Sequence, residues 1–118
     1  MNEKGKMVDL SYVKTMAGDS LELVNEMINI FISQVPDFVS EMKSYHEDED
    51  WSSLGLVAHK AKSSLAVMGM EKQANLLKEL EIKSKDGIDK DQYSSYIESF
   101  ENDCKIAIIE LQDILNSK

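Results

Sequence analysis

The chain has 118 residues, 42% of them apolar, with one proline and five glycines, which fits a single soluble globular domain able to bury a core. Its 22 Asp and Glu outnumber 13 basic residues, every one a lysine, for a net charge of −9, and that balance argues against binding to nucleic acid or to an anionic membrane surface. No apolar run approaches the roughly 20 residues of a membrane span, Met1 to Lys6 do not read as a signal peptide, and the single cysteine, Cys104, allows neither an internal disulfide nor a metal–thiolate cluster, so the expected location is the cytoplasm.

Helical periodicity then runs through almost the whole chain. A short leading helix is predicted over about Leu10 to Ala17, with Asp9 as its N-cap and Gly18 as the left-handed residue that closes it. Asp19, followed three residues later by Glu22, has the spacing of an N-cap and its reciprocal partner. The helix it would open carries Val24, Met27, Ile28, Phe31, Val35, Phe38, Val39, Met42 and Tyr45 at steps of three and four. Pro36 lies inside that run, but the apolar phase is the same on both sides of it, which predicts one long, kinked helix rather than two.

His46 falls in an acidic stretch ending at Asp50, read as a solvated connection because its spacing matches no calcium loop. Asp50 caps the next stripe, Trp51, Leu54, Ala58, Ala61, Leu65 and Met68, which Gly69 closes. A third stripe runs Met70, Ala74, Leu77, Leu80 to a turn at Lys85-Asp86-Gly87, and Asp89 with Gln92 repeats the capping spacing. The last stripe is the longest: Tyr93, Tyr96, Ile97, Phe100, Cys104, Ala107, Ile108, Leu111, Ile114 and Leu115. No segment alternates with period two over strand length. The expected architecture is all-α, an antiparallel four-helix bundle with a short additional N-terminal helix, forming one domain over residues 1–118 with 1–8 flexible.

Of the two histidines, His59 follows the buried Ala58 and is therefore turned about 100° away from the core stripe, towards solvent. Its own face, at steps of three and four, holds Gly55, Leu56, Lys62, Ser63 and Ala66, mostly small side chains with one ammonium a turn away. An imidazole at the ordinary pKa of about 6.5 is mostly neutral at pH 7 and offers a nitrogen lone pair to phosphorus. The phosphoryl product is an anion, which a lysine at an exposed site stabilises by on the order of 1 kcal/mol. On spacing alone a phosphoryl acceptor and an ordinary surface histidine both remain open.

The local sequence separates them. Ala58-His59-Lys60-Ala61-Lys62-Ser63-Ser64, then Gly69 ten residues after the histidine, then Leu80-Glu81 late in the following helix, resembles the signature of histidine phosphotransfer (HPt) domains. Upstream, Ile30-Phe31 with Pro36 and Met42, and Asp50-Trp51 before the histidine helix, resemble the same family, so the resemblance covers about Asp9 to Ile82. It implies a phosphoryl group shuttled between receiver-domain aspartates and His59 in a multistep two-component phosphorelay. The implied partners are the receivers of a hybrid histidine kinase and of a response regulator. Lys62 and Ser63 would stabilise the phosphoryl group, and Gly55, Leu56, Lys60 and Ala66 would meet the docked receiver, with Lys60 attracting its acidic pocket. Ser63 stands where the family commonly has Gly, and its hydroxyl can donate to a phosphate.

By the same resemblance the chain is a carrier, a monomer needing no cofactor, and the Mg2+ of the reaction sits on the receiver. No GxxxxGK[ST] loop points to ATP. A metal-bridged bundle would need paired Glu-x-x-His motifs, whereas His46 has Lys43 and His59 has Leu56 three residues before it. The alternative of another class is a bundle that keeps this fold and binds a partner without accepting phosphate.

Overall fold

In a computed structural model of the protein, residues 7–116 are described. Five α-helices follow one another: α1 (Ser11–Met16), α2 (Leu21–Glu47), α3 (Trp51–Val67), α4 (Glu71–Asp86) and α5 (Tyr93–Asn116), with one 3-10 turn at Lys90–Gln92 before α5. No strand occurs among the described residues. Helices α2 to α5 form the bundle, and short connections make chain neighbours antiparallel.

The stripes read from the sequence face the core. Val24, Ile28, Phe31, Val35 and Met42 of α2 are buried together with Leu54, Ala58, Ala61 and Leu65 of α3, Leu77 and Leu80 of α4, and Phe100, Cys104 and Leu111 of α5. Met27, Phe38, Val39, Tyr45, Trp51 and Tyr96 pack against that core while partly exposed. Val57 is also buried, a position outside the stripe assigned to its helix. Helix α2 is continuous across Pro36, whose own side chain faces out. Loss of one backbone donor is tolerated there because the apolar face continues through it.

Several helix ends differ from the sequence reading. Gly18 and Asp19 both adopt left-handed conformations, with φ of 60° and 68°, so the chain turns one residue further and Ser20 caps α2 by accepting from the Leu23 amide at 3.2 Å. Asp9 accepts from the Ser11 amide at 3.0 Å and from the Ser11 hydroxyl at 2.7 Å, an Asx turn leading into α1 rather than a cap on its first turn. Asp50 caps α3 as expected, accepting from the Ser53 amide at 3.2 Å. Helix α4 extends through Asp86, with Gly87 as its left-handed C-cap. Asp89, at φ 55°, makes no side-chain cap, and the Gln92 side chain instead accepts from Lys83 at 2.7 Å.

Residues 1–6 lie outside the described residues, but Met7 and Val8, expected to be flexible, are held. The Glu110 carboxylate on α5 accepts from the Met7 amide, with its two oxygens at 2.9 and 2.7 Å, and from the Val8 amide at 3.1 Å. The Asp9 amide then bonds the Met68 carbonyl at 3.0 Å. Gly69 makes that crossing possible, since a Cβ there would run into the Asp9 carbonyl and side chain. At the other pole, buried Tyr93 places its hydroxyl 2.7 Å from the Lys83 carbonyl and 2.6 Å from that of Ile88, and its ring meets Trp51 edge-on at 5.2 Å.

Candidate functional site

Helix α3 is fixed at its start by Asp50 and at its end by the turn at Gly69, and it is pinned to α2 where the Ser64 hydroxyl donates to Gln34 at 3.0 Å. Ala58 and Ala61 are completely buried, which turns the residue after Ala58 outward, and the His59 side chain is 57% exposed. Small neighbours on α3 leave the ring open on that helix, but it is engaged from α4. Its Nδ1 lies 3.0 Å from Oε2 of Glu81 on α4, and the other oxygen of the same carboxylate accepts from Lys62 Nζ at 3.0 Å. One carboxylate thus joins a ring and an ammonium that sit one turn apart on α3.

The electrostatics of this trio fix the roles of its atoms. Partial burial pushes the Glu81 carboxyl up, but the hydrogen bond and charge of Lys62, with those of His59, outweigh it and hold the group below the ordinary glutamate value. Glu81 is therefore ionised at neutral pH and can only accept hydrogen bonds. Nδ1 must then carry the ring hydrogen, and in the neutral imidazole the lone pair resides on Nε2. An exposed ring with Nε2 as its nucleophilic atom can attack an electrophile brought from outside.

The remaining residues of the sequence-derived site divide into two groups. Leu56, Lys60 and Ser63 are exposed and Ala66 is half-buried, all on α3, and Leu56 is 64% exposed despite its apolar side chain. Gly55 does not belong with them: it is buried, facing α4, where an added Cβ would come within 3.1 Å of Ser84 Oγ and 3.5 Å of the Glu81 carbonyl. It packs one helix on another. Lys62 is near the ring but engaged with Glu81, its side chain only 25% exposed.

Glu81 was visible in the sequence as part of a Leu-Glu pattern, yet 22 residues and a helix turn-around separate it from His59, and spacing within one helix could not place it. His46 is remote from this site, half-buried at the end of α2 with its ring centroid 5.8 Å from that of Trp51. Cys104 is buried, and burial, with Asp103 adding to it, pushes its thiol up to about 12, which leaves it unreactive as a nucleophile. Among the described residues no helix is long and apolar enough to cross a membrane.

No curated protein and no solved structure matches the chain. The family model of the Hpt domain matches residues 26–115, a span that contains α3 and α4 whole and so includes His59, Lys62 and Glu81. With an exposed histidine, a neighbouring lysine and a helical bundle all inside a match over most of its length, the chain belongs to the Hpt domain family.

Proposed function

We propose that this chain accepts a phosphoryl group on Nε2 of His59 and carries it between receiver-domain aspartates, taking it from the receiver of a hybrid histidine kinase and delivering it to that of a response regulator. Membership of the Hpt family carries phosphotransfer in a two-component relay, with the domain as phosphocarrier rather than kinase. The observation that carries the finer reading is the orientation of the ring: Glu81 occupies Nδ1 at 3.0 Å and leaves Nε2 as the available nucleophile on an exposed face.

In the forward step the Nε2 lone pair forms the N–P bond as the P–O bond of the receiver's acyl phosphate breaks and the aspartate leaves as a carboxylate. Nδ1 keeps its hydrogen, the ring becomes cationic, and the Glu81 carboxylate faces that charge. Transfer onward is the reverse of this step on a second receiver. Lys62, one turn along α3, and the Ser63 hydroxyl supply the donors to the phosphoryl oxygens. Leu56 offers the docking receiver an apolar contact, Ala66 leaves it room, and exposed Lys60 faces its acidic pocket. Mg2+ is supplied by the receiver. A monomer in the cytoplasm is sufficient for this task.

The test is incubation with a receiver carrying labelled aspartyl phosphate. The wild-type chain takes up an acid-labile, alkali-stable label, and His59→Gln takes up none. Equal labelling of the two proteins excludes His59 as acceptor, and receiver binding without any label in the wild type favours a bundle that only binds its partner.

A further inference from the structure

A glycine in the middle of a helix weakens it relative to alanine, so Gly55, in the second turn of α3, calls for a compensating contact. It has one. Gly55, His59 and Lys62 follow each other at steps of four and three on one face of α3, and Glu81 and Ser84 stand three apart on the facing side of α4. In this antiparallel pair Gly55 meets Ser84 in the rung next to the one where His59 and Lys62 meet Glu81.

We propose that Gly55 is a positioning residue for the phosphoryl-accepting site: its missing side chain lets α4 lie close enough to α3 for the one carboxylate of Glu81 to reach His59 and Lys62 together. The proposal rests on the reading of His59 as phosphoryl acceptor. A Cβ at position 55 would stand 3.1 Å from Ser84 Oγ and 3.5 Å from the Glu81 carbonyl, the first closer than such atoms ordinarily pack.

The serine hydroxyl has little freedom to withdraw. Ser84 is 2% exposed, and its Oγ lies 2.6 Å from the Leu80 carbonyl and 3.2 Å from that of Glu81, so rotation would leave a buried hydroxyl in search of a new acceptor. An alanine at 55 is instead accommodated by an outward displacement of α4 at the rung beside Glu81. Both partners of Glu81 belong to α3, so that displacement lengthens both hydrogen bonds together, and such bonds weaken steeply beyond their optimal distance.

The experiment reads the ring directly, by long-range proton–nitrogen correlation spectra of the His59 imidazole in the neutral protein. Wild type shows the Nδ1–H tautomer. Gly55→Ala shifts the population towards Nε2–H and slows phosphoryl uptake by about threefold to tenfold, the range that weakening one or two hydrogen bonds allows. Gly55→Ala combined with Ser84→Ala, which removes the atom the new Cβ would meet, restores both tautomer and uptake.

An unchanged tautomer in Gly55→Ala, or a shift that the double variant leaves uncorrected, overturns the proposal. If Gly55→Ala does not fold, Ser84→Val, which crowds the same contact from the α4 side, takes its place, and a wild-type tautomer in that variant overturns it equally. The spectra need no receiver. A wild type with the Nδ1–H tautomer that takes up no phosphoryl group therefore sinks the carrier reading alone.

Discussion

Two lysine–glutamate bridges cross the bundle at nearly the same distance. Lys43 on α2 meets Glu101 on α5 at 2.9 Å, with the lysine side chain 57% exposed and Lys105 on the far side of the carboxylate at 4.0 Å. Lys62 on α3 meets Glu81 on α4 at 3.0 Å, with both side chains about three-quarters covered and a histidine on the second oxygen. In both, the lysine holds the glutamate below its ordinary value: the Lys43 hydrogen bond is the largest influence on Glu101 and outweighs its burial, while at Glu81 burial is the largest single influence and Lys62 with His59 overcomes it. Distance does not separate the two bridges. Solvent and side-chain entropy leave the first worth about 0–1 kcal/mol, whereas the carboxylate of the second also meets Nδ1 of His59 at 3.0 Å.

That contrast can be broken at each bridge in turn. The largest effect belongs to His59→Gln, which loses the phosphoryl label entirely while its melting temperature stays close to wild type. Glu81→Gln comes next. Its amide can donate as well as accept, so it no longer dictates the ring tautomer, and uptake falls by about tenfold in single-turnover assays. Lys62→Ala removes the cation but leaves the carboxylate on Nδ1, and it slows uptake about fivefold, in keeping with roughly 1 kcal/mol for a partly exposed charge. Glu101→Gln leaves uptake unchanged and lowers stability by about 1 kcal/mol or less in urea melts. A drop in uptake for Glu101→Gln comparable to that for Glu81→Gln would erase the distinction between the bridges.

Acid provides the smallest and most general test. Both glutamates have folded-state values below the ordinary 4.5, so each contributes stability that is complete above that value and is lost as pH falls through the lower folded value. Melting temperature therefore declines on acidification below about pH 4.5, and the decline is shallower in Glu81→Gln and in Glu101→Gln than in wild type. A slope unchanged in both variants would mean that neither bridge persists in solution.

Most of the scaffold was legible because burial imposes a period. The stripe from Val24 to Tyr45 keeps its phase through Pro36, and the helix follows it. Helix ends were less legible, since Asp19 and Ser20 are both good caps by type and only the left-handed backbone at Asp19 decides between them. The hold of Glu110 on Met7 and Val8 joins residues about a hundred positions apart, and nothing in the spacing of either segment announces it. At the site, His59 and Lys62 follow from helix geometry within α3. Glu81 and the burial of Gly55 depend on how α4 is laid against α3, which no repeat along the chain records.

The lone thiol gives the molecule an internal clock. Cys104 is fully buried among the apolar residues of α5, and its thiol is pushed up to about 12, so at neutral pH it stays protonated. An alkylating reagent can reach it only when the bundle opens. The rate of that reaction therefore measures the opening of the core, and because no second cysteine exists in the sequence the signal belongs to one place. A variant that slows phosphoryl uptake while Cys104 is alkylated at the wild-type rate has changed the site and spared the core.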